Sequence, residues 1–218
     1  MIRPEEPDEI HEIQRRRDVA LAGHRGNETA ARLGLMDVAA GVRAAAFGAL
    51  HRMGRLSLRD VRVGLSDRSP RVRRRACEVS VALPEEAQGA VEALVGCLAD
   101  DDDSVVEAAC FALGERGLAA GRIAVGALSQ VVTEHPDPLC REAAVAALGA
   151  IGDRGGVAAI LAAMGDKPAV RRRAVLALAP FGGPDVEAAL RQATTDRDWQ
   201  VRQAAVDLVG TDPAGGRR

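Results

Sequence analysis

Apolar positions recur every three or four residues along most of the chain, the spacing of an amphipathic helix rather than of a half-buried strand. The recurring pattern is V-R-x-x-A-x-x-x-L, with a small residue three positions after the Val and often a Gly twelve after it. It occurs six times, anchored at Val42, Val72, Val105, Cys140, Val170 and Val201, with spacings of 30, 33, 35, 30 and 31 residues. A weaker copy starts at Ile13, 29 residues before Val42. Positions 0, +4, +8 and about +11 of each copy fall on one stripe at the 3.6-residue period, so each copy predicts a helix with one apolar face.

The flanks agree. Turn and capping residues precede the anchors at 67–70, 100–104, 136–138, 166–168 and 196–198. Asp and Ser accept the free N–H groups of a helix start, and Pro fits its first turn. Gly54, Gly117, Gly152 and Gly182 stand at +12, where a left-handed cap ends a helix. Between copies lies a second, less regular apolar helix, at about 28–36, 58–65, 86–98, 120–132, 156–164 and 185–193. The expectation is one helix near 7–23 followed by six antiparallel pairs, thirteen helices in all. The chain also holds 42 alanines but only six isoleucines and four aromatics, which favours helix over strand. Residues 1–9 read as an acidic flexible N-terminus, 10–210 as a single cooperative solenoid and 211–218 as a disordered tail.

The unit D-x-x-x-x-V-R-x-x-A-A-x-x-A-L-G resembles the HEAT repeat, in the short form of the phycobilisome-lyase HEAT-like group, over residues 10–210. That resemblance implies an all-α, right-handed α-α superhelix (a HEAT-like α-solenoid) whose second helices line a concave face. It also implies an inter-repeat ladder between the +1 arginines (Arg43, Arg73, Arg141, Arg171, Arg202) and turn aspartates (Asp37, Asp67, Asp137, Asp166, Asp198). The sequence departs from the pattern at Val106 (Arg elsewhere at +1), Ser80 (Leu at +8), and His51 and Val81 (Gly or Ala at +9). The second repeat is therefore the expected place for a bend or a partner contact.

Charge changes the picture more than composition does. The net charge is −2, yet residues 10–84 carry 15 bases and seven acids while 85–140 carry two bases and 11 acids. Such segregation suits a partner of complementary charge. Arginine supplies 28 of the 29 basic residues, a bias that a GC-rich genome produces without any nucleic-acid role.

Catalytic chemistry finds little support. Cys77, Cys97, Cys110 and Cys140 include no CxxC pair and read as buried thiols in a reducing cytoplasm, without disulfides or a zinc site. His135 and Cys140 flank a Pro-Asp-Pro turn, but Cys140 fills an anchor slot and its thiol should face the core. The aspartates at 100–103 lack the spacing and glycine of a calcium loop and sit where a helix dipole favours them. The glycines at 152–156 lack the strand and Lys-Ser/Thr of a phosphate loop. Met1 to Arg17 has no apolar core of a signal peptide, and no apolar run approaches the ~20 residues of a membrane span. No enzyme, metal or cofactor is expected, and the location reads as cytoplasmic.

The outward positions of successive second helices are the candidate partner-binding residues: Arg15, Arg74, Glu107, Phe111, Glu142, Arg172 and Gln203. Phe111 sits one turn from both Glu107 and Glu115, an apolar ring between carboxylates that fits a basic amphipathic peptide. Arg75 and Arg173 at +3 are expected to lay their stems over neighbouring helices, and Trp199 to cap the C-terminal end of the core. A non-enzymatic scaffold binding a protein or peptide on its concave face is the leading expectation. Nucleic-acid binding through 10–84, with Arg15, Arg16, Arg25, Arg52, Arg71 and Arg74 on phosphates, is the alternative. A lyase accessory role, implied by the resemblance alone, is the third.

Overall fold

The computed structural model describes residues 7–84 and 89–210. Among them are thirteen α-helices, three short 3-10 turns and no strand. The chain forms two compact units, Met1–Cys97 and Leu98–Arg218. The first contains α1 (Pro7–Arg25), α2 (Glu28–Gly34), α3 (Ala40–Arg52), α4 (Leu58–Leu65), α5 (Pro70–Ser80) and α6 (Ala90–Gly96). The second contains α7 (Asp103–Glu115), α8 (Gly121–Glu134), α9 (Pro138–Ile151), α10 (Val157–Ala163), α11 (Pro168–Ala177), α12 (Pro184–Ala193) and α13 (Trp199–Val209). Residues 1–6 of the expected N-terminus, 86–88 of the segment expected at 86–98 and the whole tail expected at 211–218 lie outside the described residues.

Helix starts follow the local chemistry. Ser57 and Asp60 make a reciprocal capping box on α4, Asn27 caps α2, and Asp102, Asp137 and Asp198 cap α7, α9 and α13. Pro70, Pro138, Pro168 and Pro184 open their helices, where the missing N–H removes no intrahelical bond. At the C-termini Gly152 caps α9 with φ 71°, a left-handed conformation that favours glycine. The expected Gly182 does not do this for the 178–184 turn; the positive φ falls one residue later, at Gly183 (124°).

The anchor row is the centre of each core. Val42, Val72, Val105, Cys140, Val170 and Val201 are all at most 1% exposed, and the +4 alanines (Ala46, Ala76, Ala109, Ala144, Ala174, Ala205) are fully buried. Small residues at +4 let neighbouring backbones approach, and Leu50, Leu113, Leu148 and Leu178 fill the turn beyond. Ser80, which takes the Leu slot in α5, is buried and donates its hydroxyl to Cys77 O at 2.7 Å. The exception is thus a satisfied polar group. Trp199 does not close the core. It opens α13 and is 65% exposed, while Met164, Leu190 and Leu208 cover the last cluster.

Within each unit the second helices meet most closely at +9 against +7 of the next. A Cβ on Gly149 would lie 2.8 Å from Ala177 Cα, and one on Gly23 would lie 2.7 Å from Ala49 Cα. Gly23 occupies the +9 place in α1, so the degenerate first copy is anchored at Gln14, one residue later than its apolar pattern indicates.

Gly149→Val should overpack the α9–α11 contact and cost about 1–3 kcal/mol. Gly126, mid-helix in α8 with nothing within 4 Å of where a Cβ would stand, is the control: Gly126→Ala should gain about 0.5–1 kcal/mol. Urea unfolding midpoints would report both, and equal effects at the two glycines would contradict the packing account.

Candidate functional site

Carboxylates in the turns that precede second helices bind two things at once. Asp37, Asp67 and Asp196 each accept the N–H two residues on, from Ala39, Ser69 and Asp198, and Asp166 accepts that of Lys167. The same carboxylates receive the paired nitrogens of an arginine from the preceding repeat. Arg43 holds Asp67 at 2.7 Å through both Nε and Nη2, Arg141 holds Asp166 at 2.6 and 2.7 Å, and Arg171 holds Asp196 at 2.9 and 2.7 Å. The third nitrogen, Nη1, donates back to the arginine's own turn: Arg43 to Asp37 O and Val38 O, Arg141 to His135 O and Pro136 O, Arg171 to Asp166 O. Arg73 and Arg202 make the same return bond, to Asp67 O and Asp196 O. Arg43, Arg141 and Arg171 therefore each tie one turn's carbonyl to the next turn's carboxylate, a use of the planar fork that lysine cannot reproduce.

Two aspartates of the expected ladder take another role. Asp137 and Asp198 accept the N–H groups of Leu139 and of Gln200 and Val201, and so serve as caps. The acid facing Arg171 is Asp196. In an Asp-x-Asp turn the first carboxylate points toward the preceding repeat and the second toward its own helix, a division that sequence spacing does not reveal. Arg15 also changes place: it pairs with Asp37 at 2.9 Å as a rung, because α1 is anchored one residue later than expected.

These contacts set the titration of the carboxylates. The arginine hydrogen bond is the largest influence at Asp37, Asp166 and Asp196 and holds each below the usual range. At Asp67 burial is the largest influence and pushes upward, but Arg43 and the Ser69 N–H together carry it below as well. Arg43, Arg141 and Arg171 are raised in return, foremost by those hydrogen bonds.

The remaining predicted positions lie on the outer face of the second helices. In the second unit, Phe111 is 54% exposed and Leu176 38% exposed. With the half-buried Ala146 they occupy +6 on α7, α9 and α11, which pack in that order. Leu176 and Ala146 were not among the candidates; the +6 register would have found them. Glu107 is partly exposed and Glu115 exposed, one turn to either side of Phe111. Arg172 is exposed. Glu142 is engaged by Arg173 at 3.2 Å, and Gln203 donates to Asp207 at 2.7 Å. In the first unit Arg74 and Arg75 both reach Glu78, at 2.8 and 2.9 Å, and Arg75 lies over Gly48 of the preceding second helix.

Cys77, Cys97, Cys110 and Cys140 are buried thiols in no disulfide. Burial pushes the Cys110 thiol up, and burial followed by Asp103 pushes Cys140 up to about 12, far from a nucleophilic thiolate at neutral pH. Among the described residues no helix is long and apolar enough to cross a membrane.

Removing one rung should be costly because the partner carboxylate stays half-buried. Arg171→Ala should lose about 1–3 kcal/mol. Since the folded carboxylates titrate below their unfolded value of about 3.9, their contribution is complete above that value and disappears as pH falls through the lowered folded ones. Urea midpoints measured from neutral to acid pH should therefore fall on the acid side, and Asp196→Asn should shallow that fall while lowering the neutral-pH midpoint.

Known proteins share this fold. A family profile described as HEAT repeats matches residues 35–114 and 157–211, the stretches that hold α3 to α7 and α10 to α13. No curated protein sequence matches the chain. An engineered protein of known crystal structure superposes with a TM-score of 0.63 at 20% identity, over 91% of this chain and 99% of that one. A designed armadillo repeat protein in complex with the peptide (KR)4 gives 0.59 at 17% identity, over 90% and 97%. The complex of CpcE and CpcF of phycocyanin lyase from Nostoc sp. gives 0.57 at 22% identity, over 84% and 76%. At these identities the likeness is one of fold: all are similar to this chain as all-helical repeat stacks. With more than half of its length matched by the repeat profile and every anchor buried in register, the chain belongs to the HEAT-repeat family.

Proposed function

We propose that this protein is a non-enzymatic scaffold that binds a basic, partly apolar segment of a protein partner along the second helices of unit 98–218. The observation that carries the reading is Phe111, 54% exposed at the end of the apolar +6 row and set between Glu107 and Glu115. An exposed ring costs solvation unless something covers it, and the two carboxylates select a covering group that carries positive charge. Aromatic anchors of this kind carry a large share of binding energy in interfaces. The (KR)4 complex of the designed armadillo protein supports the chemistry, since it is a Lys/Arg-rich chain bound to a stack of the same fold.

The nucleic-acid reading draws on exposed Arg16, Arg25, Arg52 and Arg71 in the first unit. Arg15 and Arg74, counted with them from sequence, are held in ion pairs, which weakens it. A lyase accessory role has only the shared fold behind it.

Fluorescence anisotropy with a labelled peptide alternating Lys/Arg and Leu, beside a single-stranded oligonucleotide of equal length, tests the proposal. The peptide should bind, Phe111→Ala should weaken it by about tenfold or more, and Glu107→Lys should act mainly through the association rate and its salt dependence. Tight oligonucleotide binding with a steep salt slope and none of the peptide would overturn it.

A further inference from the structure

One junction in the second unit departs from the repeat at three places together. Val106 stands at +1 where rung arginines stand elsewhere, His135 stands where the rung carboxylate belongs, and Cys140 takes the anchor slot that valine holds at the five other full copies. Val106 is fully buried, so no arginine reaches from +1 of α7 to the 135–137 turn. His135 has kept half of the aspartate's role, since its Nδ1 accepts the Asp137 N–H at 3.2 Å, as Asp37, Asp67 and Asp196 accept from two residues on. Its other nitrogen, Nε2, faces Asp103 Oδ1 at 3.9 Å. The Cys140 sulfur lies 3.5 Å from Asp103 O. One ligand atom each from Asp103, His135 and Cys140 can be chosen so that all lie within 4.8 Å of one another.

We propose that Asp103, His135 and Cys140 bind a thiophilic divalent cation, Zn2+ foremost, which bridges α7 to the turn and start of α9 where the arginine–aspartate rung is missing. Independent drift would scatter departures over the repeats. Here both halves of one rung are lost, and two of the three replacements are a nitrogen and a sulfur ligand that meet a carboxylate on the facing helix. One sulfur, one nitrogen and one oxygen donor suit tetrahedral Zn2+, with water in the fourth position. The site opens through Asp103, whose side chain is 55% exposed beside a 14% exposed His135 and a buried Cys140.

The proton balance is definite. The cation displaces the thiol proton to solvent and takes the lone pair of Nε2. The imidazole proton then resides on Nδ1, so the Asp137 N–H contact opens and the turn adjusts. This junction is separate from the Phe111 row, and the peptide measurement does not decide it.

Co2+ titrated into the full chain under reducing conditions is the test, with Zn2+ as competitor. The expected result is one equivalent of Co2+ bound with a sulfur-to-cobalt charge-transfer band, displaced by Zn2+, and a higher melting temperature with Zn2+. Cys140→Val, which installs the residue of the other anchors and should fold, must lose the band and the thermal shift. Asp103→Asn and His135→Gln should each weaken binding about a hundredfold or more, beyond an outer-shell effect. Absence of the band in the unaltered protein, or its persistence in Cys140→Val, would overturn the assignment.

Discussion

The distance between successive second helices governs what the rest of each unit can do. It is set by alanine at +4, buried in all six full copies, and by the glycines of α1, α7 and α9 that present no Cβ to the alanine opposite. Burial of one anchor valine is worth about 1.5–3 kcal/mol, but only if the neighbouring helix lies close enough to cover it. A single pair exposes that stripe, so the repeats stabilise one another rather than themselves. The constraint is steric first and hydrophobic second, which is why the small positions are as regular as the large ones.

That spacing also brings each turn within reach of the arginine of the repeat before it. A guanidinium offers nitrogens in a fixed plane, and this fold uses two edges of it: one toward a carboxylate, one toward main-chain carbonyls that a turn leaves without helical partners. The carboxylate in turn orders its own backbone. Satisfied in this way, the half-buried charges avoid the desolvation penalty that an isolated one would carry. The rung fixes register where apolar contacts alone would permit sliding.

Where the rung is absent the chemistry changes character. Val106 turns the +1 position into core, and the released turn carries His135 toward Asp103 and Cys140. The outer face follows a different logic, since nothing in the stack requires Phe111 and Leu176 to be apolar. Exposed apolar side chains at one register position on packed helices are a surface feature with no structural duty, and the flanking glutamates give it a sign.

The sequence by itself determined the helices, their order and the buried rows, because the 3.6-residue period, the caps and the alanine positions are local signals repeated six times. The HEAT resemblance also implied arginine–aspartate pairing. The tertiary structure decided which carboxylate pairs and which caps, moving the rung from Asp198 to Asp196, and it moved the first anchor to Gln14 so that Arg15 became a rung. It exposed Trp199 and shifted the positive φ from Gly182 to Gly183. Only the fold could bring Asp103 beside His135 and Cys140. These outcomes depend on which neighbour a side chain meets across a helix–helix contact, and the residues that meet there lie 22 to 37 positions apart, beyond the reach of any local period.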